Sequence, residues 1–214
     1  MTLALRRLIL CMFCRAYRIQ AYVFAKLLKC EYVALIGYPL SPSVTILDQK
    51  QCVTQAAKHL KSNAQLFQGT APLRFILSGH SAGANLAALL LAEQLTTNYK
   101  YMDALVSMSG VYDLNLLKQY ETCRQMTNMS PMELAAGGCQ NYDLCSPAHL
   151  LEKVPLGHVQ PEMLVPVVLM HGLLDGTVPV SNSQRFAEVL GRFKGGGMEM
   201  HELYSKVCYL CNIP

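Results

Sequence analysis

Short apolar runs closed by glycine or proline alternate along this chain with longer segments whose apolar residues recur every three or four positions. Tyr32–Tyr38 is one such run; Pro39 and Pro42 end it, and it predicts a buried strand. From Asp48 to about Gln65, Val53, Ala56, Ala57, Leu60 and Ala64 keep helical spacing. Leu73–Leu77 predicts another strand, which enters a glycine turn at Gly79. Ser81–Leu95 is rich in alanine and leucine, contains no proline, and predicts a buried helix. Tyr101–Met108 and Val165–Met170 read as further strands, Ser183–Leu190 as the opening of a helix, and Met198–Tyr204 as an alternating strand.

Strand, helix, strand, helix in this order implies parallel pairing through right-handed crossovers, with helices covering both faces of the sheet. The expectation is a three-layer α/β fold with a mostly parallel sheet, in one domain over residues 1–214. Between Gly110 and Leu164 the periodicity loosens. Residues 110–164 read as a cap-like insertion over the carboxyl edge of the sheet, where such folds bind ligands. Met126, Met129 and Met132 are flexible enough to suit an apolar pocket there; an ordinary helical connection is the alternative. At the amino end, Arg6 and Arg7 precede an apolar stretch that loosely imitates a signal peptide. Arg15, Arg18 and Lys26 interrupt the residues after it, no small-residue cleavage site is clear, and a core strand is the preferred reading.

Composition narrows the function. Of 214 residues, 52% are hydrophobic and 15% charged, which excludes a disordered chain and supports one sizeable core. Eighteen Lys+Arg against fourteen Asp+Glu leave a charge of +4, with no basic cluster beyond Arg6-Arg7, so no nucleic-acid partner is expected. The apolar runs are too short to span a bilayer. Nine scattered cysteines, an odd number, fit reduced thiols in the cytoplasm better than a disulfide framework. Cys11-x-x-Cys14 and Cys208-x-x-Cys211 have the spacing of zinc ligands but lack glycine-rich knuckle turns. Small buried hydrophobes are the preferred reading, with no metal.

The sharpest chemical signal is Gly79-His80-Ser81-Ala82-Gly83, set between a predicted strand and a predicted helix. Glycines flanking a serine at such a junction permit the cramped turn that lifts a hydroxyl above the sheet as a nucleophile. The Ala82 N–H, at the helix amino end, would then face the same spot as an oxyanion donor. A serine needs a histidine base and a carboxylate to orient that base. Asp175 follows the strand Val165–Met170, on a loop at the carboxyl edge, and serine before acid matches the chain order of α/β-hydrolases. Ser81 and Asp175 are the catalytic candidates.

Together GHSAG, SGVYDL (Ser109 to Leu114), CSPAHLL (Cys145 to Leu151) and HGLLDGTVPVSNSQRFAEVL (His171 to Leu190) resemble the α/β-hydrolase serine esterases, over roughly residues 24 to 204. The likeness is greatest to prenylcysteine methylesterase-like carboxylesterases, with kynurenine formamidase and feruloyl/acetyl-xylan esterase-like enzymes as relatives. The resemblance implies an α/β-hydrolase fold acting on a small-molecule apolar ester, a prenylcysteine methyl ester among them, with no cofactor. It also implies membrane association, at the endoplasmic reticulum or Golgi, as the alternative to the cytoplasm.

Two departures stand against this pattern. The family carries a His-Gly-Gly oxyanion loop after an earlier strand; the matching stretch here, Leu10 to Arg18, has neither glycine nor histidine. The family's catalytic histidine follows a strand ending in Leu-Tyr; here Leu203-Tyr204 leads into Ser205 to Pro214, which contains none. His59, His80, His149, His158, His171 and His201 all lie elsewhere and match no base position. The expectation is an α/β-hydrolase truncated at both ends, self-associating through exposed strand edges. It is either an ester hydrolase or an impaired homologue that serves as a binding module.

Overall fold

The computed structural model describes residues 6–12, 22–23, 26, 29–67 and 73–206. Six parallel strands form one sheet: β1 (Arg6–Met12), β2 (Tyr32–Leu35), β3 (Leu73–His80), β4 (Ala104–Met108), β5 (Val167–Gly172) and β6 (Met200–Ser205). Their order is β2-β1-β3-β4-β5-β6, so after β2 the chain recrosses β1 and then winds outward in one direction. This is the parallel three-layer architecture that the alternating pattern predicts.

The helices form where the sequence supplies both apolar spacing and caps. Helix α1 (Ile46–Ser62) starts two residues before the predicted boundary because Thr45 and Asp48 make a capping box. The Asp48 carboxylate accepts from the Thr45 N–H at 2.8 Å, and the Thr45 hydroxyl accepts from the Asp48 N–H at 3.3 Å. Helix α2 (Ala82–Thr97) buries twelve of its sixteen residues, against β3, β4, β1 and two further helices. A helix covered on all sides needs small and apolar residues around its whole circumference, which the Ala/Leu run provides. Helix α6 (Ser181–Gly191) packs on β5 and β6 and buries Phe186, Val189 and Leu190 in the same core as α2.

Differences at the strand ends have local causes. β4 begins at Ala104 rather than Tyr101, because the Gln94 side-chain carbonyl accepts from the Tyr101 and Met102 N–H groups, at 2.7 and 3.0 Å. Those donors are lost to the sheet ladder. β3 runs three residues past Leu77, since Ser78, Gly79 and His80 pair with Val106, Ser107 and Met108.

Residues 110–164 hold three short helices, α3 (Leu114–Cys123), α4 (Met132–Ala136) and α5 (Pro147–Glu152), joined by 3-10 turns. Helices α3 and α4 share a small core of Leu114, Leu117, Met132, Ala136, Tyr142 and Cys145, while α5 buries Ala148 and Leu151 in the main one. Two buried polar residues of α2 fasten this segment to the sheet layer. The Asn85 amide donates to the carbonyls of Val111 (2.7 Å) and Cys145 (2.9 Å), and the Gln94 amide donates to Met163 (2.8 Å). No helix among the described residues is long and apolar enough to cross a membrane.

Candidate active site

Ser81 sits where β3 turns sharply into α2. Its backbone is at φ 52° and ψ −119°, a conformation a non-glycine residue adopts at a cost on the order of 1–3 kcal/mol. The turn is possible because Gly79 has no side chain: a Cβ there would run into the Gly83 carbonyl and the Ala84 N. The Ser81 N–H donates to the Met108 carbonyl (2.9 Å), and the Ser109 N–H to the Met170 carbonyl (2.8 Å), which keeps the ends of β3, β4 and β5 in step. Ser81 stands at the N-cap position, yet its hydroxyl makes no capping bond to the helix.

Ser81 and Ala82 both line a cavity of about 380 Å³, a volume within the usual range for small-molecule sites. The opposite wall comes from α3 and α4 through Leu114, Leu117 and Met132, and the rim from Thr177 and Val178. Of the three methionines expected at a pocket, Met132 alone lines this cavity; Met126 and Met129 face solvent.

Asp175 lies on the loop after β5, with its side chain 7% exposed. One carboxylate oxygen, Oδ1, accepts from the N–H groups of Thr177 (2.9 Å) and Val178 (3.0 Å), which locks the rotamer. The other, Oδ2, is 3.7 Å from His171 Nε2, too far for a good hydrogen bond. It is therefore not committed to His171.

That histidine has other partners. His171 Nε2 donates to the Val178 carbonyl at 2.9 Å, so Nδ1 is left to accept from the Ser183 hydroxyl at 2.6 Å. Burial pushes its pKa below the ordinary value, against the Val178 carbonyl and the Asp175 charge, and a neutral ring is what this bonding pattern needs. His171 braces the acid loop against α6. Ser183, whose role no local pattern announces, completes that brace.

The remaining histidines scatter. His80, on β3, is half-buried; desolvation lowers its pKa, opposed by Asp175 and assisted by His171, so it lies within electrostatic reach of the acid loop. His149 bridges Asp113 (3.0 Å) and Asp143 (3.1 Å) within the 110–164 segment. His59, His158 and His201 are exposed. Asn182 is a second residue that sequence reasoning missed: its side-chain carbonyl accepts from the Tyr112 and Asp113 N–H groups, at 3.1 and 3.0 Å, and so sets the loop after β4. Tyr112, fully buried, stacks on Phe186 with ring centroids 4.3 Å apart, and burial pushes its hydroxyl up to about 12.

Among the described residues, no three His, Cys, Asp or Glu side chains are grouped to hold a metal. Cys14, Cys208 and Cys211 fall outside the described residues, and Cys11 is described by its backbone alone. The stretch matched to the glycine oxyanion loop lies largely outside them as well. Cys145 is buried and its thiol is pushed up to about 11, which makes it inert.

The family model BD-FAE matches residues 15–190, most of the chain. The chain belongs to the BD-FAE family. As an α/β-hydrolase of this family it is 29% identical, over 167 residues, to isoprenylcysteine alpha-carbonyl methylesterase of Arabidopsis thaliana; the match covers 74% of this chain and 38% of that protein. A probable isoprenylcysteine alpha-carbonyl methylesterase from the same plant is 26% identical, covering 75% and 35%. The chain thus spans well under half the length of these relatives. Among solved structures, carboxyl esterase 2 of the mycorrhizal fungus Tuber melanosporum superimposes with a TM-score of 0.70 at 16% identity, over 94% of this chain and 68% of that one. A truncated carbohydrate esterase from gut microbiota gives 0.66 at 18%, over 95% and 78%. At such identities the likeness speaks for the BD-FAE member's fold alone.

Proposed function

We propose that the chain hydrolyses an apolar carboxylic ester through Ser81, and that the ester is a prenylcysteine methyl ester. The observation that supports this best is a strained, uncapped Ser81 hydroxyl facing a largely apolar cavity of about 380 Å³. The apolar lining favours a hydrocarbon chain over a sugar, in keeping with the name of the methylesterase relative.

In this reading, Ser81 Oγ attacks the ester carbonyl carbon while its proton passes to a base. The carbonyl oxygen becomes an oxyanion facing the Ala82 N–H. Collapse of the tetrahedral intermediate breaks the C–O bond; methanol leaves with the proton from the base, and the acyl group stays on Ser81. Water then adds by the same proton route and releases the acid. Asp175 Oδ2 is the oxygen that would orient an imidazole base, since Oδ1 is held by the loop; without such an imidazole, the proton passes to water. The 110–164 segment acts as the cap that excludes water.

Residues 205–214, where the family pattern has its imidazole, contain no histidine. Turnover is therefore expected to lie several orders of magnitude below that of a complete triad. The same feature favours a second reading, a binding module that keeps the cavity without the chemistry. A fluorophosphonate probe and p-nitrophenyl butyrate separate the two. Labelling of the folded protein and slow ester turnover, both lost in Ser81→Ala, are expected. A folded chain that binds geranylcysteine methyl ester but neither labels nor turns over would replace the first reading with the second.

A further inference from the structure

We infer that Glu121 gives the cavity its specificity by receiving the free ammonium of an amino-acid ester, an inference that rests on the esterase reading above. Helix α3 turns Leu114, Leu117 and Glu121 toward the cavity, three residues at the i, i+3 and i+7 spacing of one helical face. The first two continue the apolar lining. The third ends it with a carboxylate, the one ionisable side chain among the described residues that line this cavity.

The carboxylate is held in place without being neutralised. Glu121 Oε1 accepts from the Ser130 hydroxyl at 2.9 Å, and Ser130, itself a lining residue, accepts in turn from the Met132 N–H at 3.3 Å. The basic side chains one turn away on either side are engaged elsewhere: Lys118 lies 3.6 Å from Glu133 and over the Tyr142 ring, 5.3 Å from its centroid, and Arg124 donates to the Tyr120 hydroxyl and the Gly176 carbonyl. Among the described residues Glu121 has no ion pair.

A half-buried carboxylate beside apolar walls is poorly solvated, and a ligand cation offsets that loss while gaining a charge-assisted hydrogen bond. An ester with an apolar chain and a free ammonium supplies both features. A neutral N-acyl ester of the same shape supplies one and leaves the carboxylate facing an amide. Neutral esters are thus bound less well, through the wall that faces Ser81.

Isothermal titration of the whole chain with S-geranyl-L-cysteine methyl ester and its N-acetyl counterpart tests this. At pH 6 the free amine is expected to bind about tenfold more tightly, a contribution typical of a hydrogen bond to a charged group. Glu121→Gln should bring the two ligands to equal affinity. An independent arm uses the unaltered chain at pH 9.5, above the roughly 7.7–8.0 of an α-amino group, where the preference should vanish. The neighbouring Tyr142 hydroxyl is raised by burial and stays neutral across that interval, so the change falls on the ligand. Equal binding of both ligands at pH 6, or a preference that survives in Glu121→Gln, overturns the inference and leaves the esterase reading standing. Binding of neither ligand overturns both.

Discussion

The two walls of the cavity are built to different tolerances. On one side the β3–α2 turn has no slack: Gly79 lies against the Gly83 backbone, and α2 is buried along nearly its whole length. On the other side, α3 and α4 rest on a core of six residues, and much of their surface is open to solvent. The rigid wall carries Ser81 and Ala82, whose chemistry depends on position. The looser wall carries Leu114, Leu117, Met132 and Glu121, which meet whatever the ligand presents. A nucleophile displaced by a fraction of an ångström loses its geometry, while a binding wall that yields slightly can accept related ligands.

The sharpest way to break this contrast is to add one methyl group to the rigid side. Gly79→Ala forces strand and helix apart and is expected to cost about 3 kcal/mol in urea unfolding. A variant as stable as the parent would show slack where none is inferred. On the looser side, Met132→Ala should cost only about 1 kcal/mol, because its core is small and partly open to the cavity. A loss as large as that of Gly79→Ala would mean the two walls are one rigid unit.

The smallest effect is a pH dependence under the acid loop. His171 and His80 both have pKa values lowered by burial, so the unfolded chain binds protons more readily than the folded one. The stability that neutral rings contribute is complete above about 6.5, the unfolded value, and is lost as the pH falls from there through the lower folded values. Tm should therefore drop between pH 7 and pH 5, before the carboxylates titrate. His171→Gln, which keeps a donor for the Val178 carbonyl, should flatten part of that drop. An unchanged slope would remove His171 from the account of the loop.

Local pattern carried much of this molecule. Apolar runs, helical spacing and the GHSAG turn are short-range signals, and the strands, the main helices and the bend at Ser81 follow from them directly. The boundaries slipped where a side chain captured backbone donors, as Gln94 does at Tyr101 and Met102, and as Thr45 and Asp48 do at the start of α1. The capping box was readable in advance; the Gln94 contact was not. Ser183 opens the helix that the periodicity predicts and Asn182 lies just before that boundary, yet nothing nearby distinguishes a serine bonded to His171 from one facing water.

The alternation of elements, the sharp serine turn and the absence of histidine from residues 205–214 were all decided by the sequence alone, because each depends on residues close together in the chain. Which residues face one another across the cavity was decided only by folding. Ser81, Glu121 and Val178 line one cavity because separate crossovers bring their segments to one edge of the sheet. A juxtaposition of residues forty to nearly a hundred positions apart leaves no trace in either neighbourhood, since each side chain is chosen there by surroundings that the tertiary structure supplies.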